Sequence, residues 1–128
     1  TKGVRRAILL PVSAPFHCSL MKPAAEKMLE SLSSVKINSP KVAIVTNISA
    51  HKIQGEPDEI RRSLVLQVTS MVRWQESIKW MANNGIKSMV EIGAGQVLSG
   101  LNKRINKDLK SISIEDPDTI EEFLKNLR

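Results

Sequence analysis

Hydrophobic positions along the chain alternate between short contiguous runs and stretches where apolar residues return every three or four positions. The runs at 4–12 (VRRAILLPV), 41–48 (KVAIVTNI), 87–92 (KSMVEI) and 111–114 (SISI) are rich in aliphatic residues and predict strands. Pro11 has no amide to give a ladder, so it marks the end or the edge of the first run. Helical spacing begins at Leu20 and continues to Ser33 through Met21, Ala24, Ala25, Met28, Leu29 and Leu32. Pro23 is compatible with a helix only near its first turn, so the start of this helix should be irregular. A polar stretch through Gly55 and Pro57 predicts a loop, and Ile60, Leu64, Leu66 and Val68 predict a short helix after it.

The pattern breaks near Thr69 and Ser70. It resumes over Val72 to Asn84, with Trp74, Ile78 and Met81 at i, i+4 and i+7, and Asn84-Gly85 supplies a stop. Gly93-Ala94-Gly95 turns the third strand into a helix carrying Val97, Leu98, Leu101 and Ile105. Asp116 as N-cap and Pro117 at the first helical position open the last helix, whose core face should hold Ile120, Phe123, Leu124 and Leu127. Strands alternating with helices predict an α/β class with a parallel sheet. The first strand stands outside this alternation, as if it belonged to another layer.

At 128 residues and 41% hydrophobic content the chain has enough material for one core. Its longest apolar stretch, Ala7 to Val12, is far short of the roughly 20 residues of a membrane span. A single cysteine, Cys18, excludes an intrachain disulfide and a cysteine-based zinc site, and with no signal-peptide pattern it points to the reducing cytoplasm. The chain begins at Thr1 and enters an apolar run by residue 7, which suggests a piece of a longer protein.

Nineteen Lys and Arg against thirteen Asp and Glu leave a net charge of +6, which favours an anionic partner. Aromatic residues make up only 3% of the chain, too few for the stacking platforms of single-strand binders. Nucleic acid therefore ranks below an acidic protein or a phosphorylated cofactor, with Arg61, Arg62, Lys103, Arg104 and Lys107 as candidate contacts.

His17, where a strand end runs through a Pro-containing turn into a helix, stands where α/β enzymes display reactive side chains. Cys18 is adjacent, but neighbouring side chains point apart, which favours a packed thiol over a nucleophile. Gly93-Ala94-Gly95 invites a phosphate-loop reading. Leu98 occupies the place of the third glycine in G-x-G-x-x-G, so a tight structural turn is the better reading. His51 lies in a polar loop and reads as solvated, and Trp74 and Trp80 read as packing residues.

Four segments occur in order: SAPFHCSLM, VTNI, L-x-x-Q-x-x-x-x-V-x-W at Leu64, Gln67, Val72 and Trp74, and EIGAGQVLSGL. Together they resemble the C-terminal part of bacterial malonyl-CoA:acyl carrier protein transacylases over nearly the whole chain. The resemblance implies an α/β-hydrolase-like acyltransferase domain over residues 13–128, with residues 1–12 as the final strand of a smaller ferredoxin-like subdomain. It implies that a serine in G-x-S-x-G attacks the malonyl thioester and that His17 acts as its general base. His17 would be oriented by the main-chain carbonyl of Gln67, where a Ser-His-Asp enzyme uses a carboxylate, so any side chain could stand at position 67.

Phe16 and Asn47 are implied on the substrate side, Phe16 by obstructing branched acyl units and Asn47 by supporting the His17 loop near the cleft. Ala94 departs from the proline usual in the family's G-P-G turn. The implied partners are malonyl-CoA, acyl carrier protein and the missing N-terminal part of the parent enzyme, with no metal or redox cofactor. The chain contains no G-x-S-x-G, so it should hold the base and lack the nucleophile. The rival reading is a self-contained, non-catalytic α/β module that binds an acidic protein or nucleic acid.

Overall fold

The computed structural model describes residues 3, 9 and 11–126. Most of the strand expected over 4–12 lies outside the described residues, and Leu9, Pro11 and Val12 within them are in no strand. From there the chain enters a single 3-10 turn, Ser19–Met21, and then helix α1, Lys22–Ser33, with Pro23 in its first turn. The irregular start expected from that proline is therefore present.

Helix α1 packs against α2, Pro57–Thr69, and one residue joins their ends. Arg61 on α2 donates from Nε to the Leu32 carbonyl at 2.9 Å and from Nη2 to the Val35 carbonyl at 3.1 Å. It thereby answers carbonyls that the end of α1 leaves without helical partners. Its guanidinium also pairs with Asp58. This candidate contact for an anionic ligand is thus occupied inside the fold.

Between the two helices lies a small antiparallel hairpin, β1 (Ile44–Val45) and β2 (Lys52–Ile53), with Ile44 opposite Ile53. The strand expected over 41–48 contracts to two residues because Thr46 begins a turn. Its hydroxyl shares a 2.7 Å hydrogen bond with that of Ser49, and its carbonyl accepts from the Ala50 amide at 2.9 Å. The loop expected through Gly55 contains β2, whose single apolar residue gives no periodic signal. Gly55 itself is required: its φ is +85°, and a Cβ there would lie 2.8 Å from Cγ of Pro40.

Helix α3, Trp74–Asn83, leads to a parallel pair, β3 (Ser88–Ile92) and β4 (Lys110–Ile114), joined by α4, Val97–Ile105. Ser88 stands opposite Lys110 and Ile92 opposite Ile114. Ile78 of α3 is fully buried, with Leu109 and Ile114 also in the core. Trp74 donates its indole N–H to Oδ1 of buried Asn102 at 3.1 Å, tying α3 to α4.

Helix α5, Pro117–Lys125, starts with the expected Asp116 cap. The Asp116 carboxylate accepts from the Thr119 amide at 2.8 Å, and Thr119 Oγ1 accepts from the Asp116 amide at 3.1 Å. Its expected core face is only partly realised. Phe123 lines a cleft above β4, but Ile120 and Leu124 are 47% and 54% exposed, and Leu127 lies outside the described residues. Two strand axes lie about 5 Å apart while a helix is about 10 Å wide, so this sheet cannot cover the apolar stripe of a flanking helix. Val97, Leu98 and Leu101 of α4 are exposed in the same way.

Since Ile78 is fully buried in this core, Ile78→Ala should cost about 2–5 kcal/mol, read from the midpoint of denaturant unfolding. A loss under about 1 kcal/mol would show that α3 does not anchor the fold.

Candidate active site

The turn before α1 is built by short local bonds. The Phe16 amide donates to the Ala14 carbonyl at 2.9 Å, the Cys18 thiol donates to the Pro15 carbonyl at 3.1 Å, and the Met21 amide donates to the Cys18 carbonyl at 3.0 Å. These bonds set His17 at φ +58°, in the left-handed region that histidine enters more readily than most non-glycine residues. The thiol is engaged within its own turn, in keeping with a structural role for Cys18.

The His17 ring reaches the end of α2, where Nδ1 lies 2.9 Å from the Gln67 carbonyl oxygen across 50 residues of sequence. In a longer helix that carbonyl would accept from the amide at position 71. Here Ser70 is extended, with φ −111° and ψ 150°, so the helix stops and the oxygen receives only a long 3.4 Å bond from the Ser70 amide. A carbonyl can only accept, so the proton must sit on Nδ1, and a neutral ring then presents Nε2 as an acceptor. The structure thus brings together the two residues paired by the resemblance.

Phe16, next to His17 in the turn, is 59% exposed in this chain. Asn47 is half-buried, and its main-chain carbonyl accepts from the Arg73 amide at 3.0 Å. With Gln67, Thr46, Ile44, Ile60 and Leu64 it lines a cavity of about 290 Å³ that His17 does not enter. The structure therefore puts Asn47 and Gln67 in the lining of one cavity.

Arg73 is the residue that sequence reasoning passed over. Its Nη1 donates to the Ser49 carbonyl at 3.2 Å and reaches that of Ile48 at 3.5 Å, and the guanidinium pairs with Glu76. It pins the turn after β1 to the junction between α2 and α3. An arginine at the very start of the Val72 to Asn84 pattern, just after the break, was the available signal.

No family model matches the chain. It is 45% identical to the malonyl CoA-acyl carrier protein transacylase of Haemophilus influenzae over 95% of its own length, and 44% identical to that of Bacillus subtilis over 98%. Among solved structures, the acyl-carrier-protein-S-malonyltransferase of Bartonella henselae superposes with a TM-score of 0.89 at 46% identity, covering 98% of this chain and 40% of that one. A malonyl-transacylase in complex with its type II PKS acyl-carrier protein matches with a TM-score of 0.87 at 38% identity, covering 97% of this chain and 40% of that one. The chain belongs to the malonyl CoA-acyl carrier protein transacylase family, in its C-terminal part. It spans about 40% of the length of the curated relatives it matches.

In this chain the Gly93-Ala94-Gly95 turn serves the protein's own carboxylates. Glu91 on β3 accepts from the amides of Leu98 and Ser99 at 3.0 and 2.7 Å, capping α4 where Gln96 offers no side-chain cap. Glu115 accepts from the Gly95 amide at 2.8 Å and from the Gln96 side chain at 3.3 Å. The amides that a phosphate loop would aim at a ligand are therefore already paired. Among the described residues no group of three or more His, Cys, Asp or Glu could hold a metal ion, and no helix is long and apolar enough to cross a membrane.

The Ser99 and Leu98 amides hold the Glu91 carboxyl below its usual value despite opposing desolvation, and the Thr119 amide and hydroxyl do the same for Asp116. A carboxyl depressed in the folded state stabilises it above the ordinary range near pH 4 and loses that effect as pH falls through the depressed value. Stability should therefore rise with pH through and just below about pH 4. Glu91→Gln should flatten that rise and speed hydrogen exchange at Leu98 and Ser99. An unchanged slope would mean that the α4 cap does not contribute.

Proposed function

We propose that this chain supplies the general-base half of a malonyl-CoA:acyl carrier protein transacylase, with His17 as the base. The observation that carries this reading is the 2.9 Å contact between His17 Nδ1 and the Gln67 carbonyl, which directs Nε2 away as a proton acceptor. The names of the relatives support the substrate class, malonyl-CoA and acyl carrier protein.

The reaction needs a serine from outside these residues, since the chain carries no G-x-S-x-G. Nε2 takes the serine proton as Oγ attacks the malonyl thioester carbonyl. When the tetrahedral intermediate collapses, the carbon–sulfur bond breaks, and the leaving coenzyme A thiolate takes the proton from Nε2. In the second half Nε2 takes the proton of the carrier's phosphopantetheine thiol. The thiolate attacks the serine ester, and the serine oxygen leaves with that proton. Both halves place a transient positive charge on the ring, opposite a carbonyl at the negative end of α2.

Phe16, exposed beside the base, is the residue set to obstruct a branched acyl unit, and Asn47, which lines one cavity with Gln67, supports the His17 loop near the cleft. The net charge of +6 suits an acidic carrier protein and the coenzyme A phosphates, and the cytoplasm is the setting for both. By itself the chain should be catalytically silent.

In the full-length transacylase His17→Ala should lower transfer by about 10² or more while leaving coenzyme A binding intact. A loss below tenfold would remove His17 from the mechanism. Incubating the 128-residue chain with malonyl-CoA should give no covalent adduct by intact mass, and a stoichiometric adduct would mean that the chain has its own nucleophile. Phe16→Ser should raise methylmalonyl relative to malonyl transfer by a methyl-sized margin of about 1–3 kcal/mol at most. An unchanged ratio would show that Phe16 does not meet the acyl group.

A further inference from the structure

The resemblance assigns work only to the main chain at position 67, yet the side chain there is engaged as well. Gln67 Nε2 donates to the Ser70 carbonyl at 3.0 Å, in a half-buried position. The amide therefore closes a small ring over the same residues whose geometry determines whether the Gln67 carbonyl is available to His17. We infer that the Gln67 side-chain amide is a positioning group for His17, an inference that rests on the general-base reading above.

The argument runs through the hydrogen bonds at the end of α2. If Ser70 were helical, the amide of Met71 would approach the Gln67 carbonyl as its normal i+4 donor and compete with the imidazole. Ser70 is extended instead, which turns its own carbonyl toward the Gln67 amide and takes Met71 out of the helical path. The other local bonds are weaker in geometry: the Ser70 amide to the Gln67 carbonyl and the Thr69 hydroxyl to the Leu66 carbonyl are both 3.4 Å. The 3.0 Å amide bond is thus the shortest of these three bonds made within residues 66–70.

Residue type follows from this geometry. Asparagine is one methylene too short to reach the carbonyl of residue 70, glutamate would oppose it with a second acceptor, and methionine has the length without the donor. Glutamine alone among these supplies both reach and an N–H. The side chain acts on the base through its own backbone, with no contact to the reacting atoms.

Gln67→Met in the full-length transacylase keeps length and helix propensity while deleting the donor. We expect kcat to fall about tenfold, less than for loss of the base itself, with KM for malonyl-CoA within about twofold. The imidazole nitrogen shifts of His17 should move from a fixed Nδ1–H tautomer toward a mixture. A kcat within twofold of the parent together with unchanged nitrogen shifts would overturn the inference.

His17→Ala in the same assay separates the two readings. A near-normal rate there removes the general base, whereas a large loss there beside a normal Gln67→Met removes only the positioning role. Should the Met variant fail to fold, the unsubstituted enzyme still decides. One Gln67 side-chain amide proton must then exchange with solvent more slowly than those of exposed glutamines, and equal exchange would overturn the inference.

Discussion

A helix that stops leaves carbonyls without partners, and the site depends on how the end of α2 meets that need. One of these oxygens, on Gln67, is met from 50 residues away by an imidazole. A carbonyl cannot titrate at any accessible pH, so it orients the ring without changing its own charge. A carboxylate in that place would add a second ionisable group to the site. The neutral acceptor gives up some electrostatic stabilisation of an imidazolium and keeps the same tautomeric control.

The surrounding fold is held by side chains bonded to main-chain groups more than by side-chain pairs. Arg61 reaches the carbonyls at the end of α1, Arg73 those of the turn after β1, and Glu91 and Glu115 the amides around the glycine turn. Charged residues are thus spent on fixing where chain segments start and stop. The cores they enclose are small, with Ile78 deeply buried while long apolar side chains on α4 and α5 face outward. A two-stranded sheet gives those helices too narrow a floor.

Much of this was legible in the sequence where a pattern repeats. Helices α1 to α5 and the parallel pair announce themselves by periodic apolar residues and by signals such as Asp116-Pro117 and Asn84-Gly85. The hairpin partner β2 was hidden because two residues cannot show a period, and the strand before it shortened because Thr46 and Ser49 offered a turn. The pairing of His17 with Gln67 came from resemblance alone. A main-chain acceptor leaves no trace in residue identity, and a glutamine on a helix reads as solvated until its amide is seen to turn back on Ser70. Ile120 and Leu124 were read as core because their spacing is helical, but spacing reports a face and says nothing of what covers it.

The span between His17 and Gln67 also bears on the order in which the molecule assembles. Closing a loop of 50 residues costs about 3.5 kcal/mol of chain entropy beyond a constant, against about 0.5–1.5 kcal/mol from one hydrogen bond. The bond therefore cannot draw its own ends together. The docking of α1 on α2, tied by Arg61, supplies the closure that the bond itself cannot. Any change that loosens the α1–α2 contact would release the His17 ring before it unfolds the chain, so the freed imidazole would be the earliest sign of lost packing at a distance.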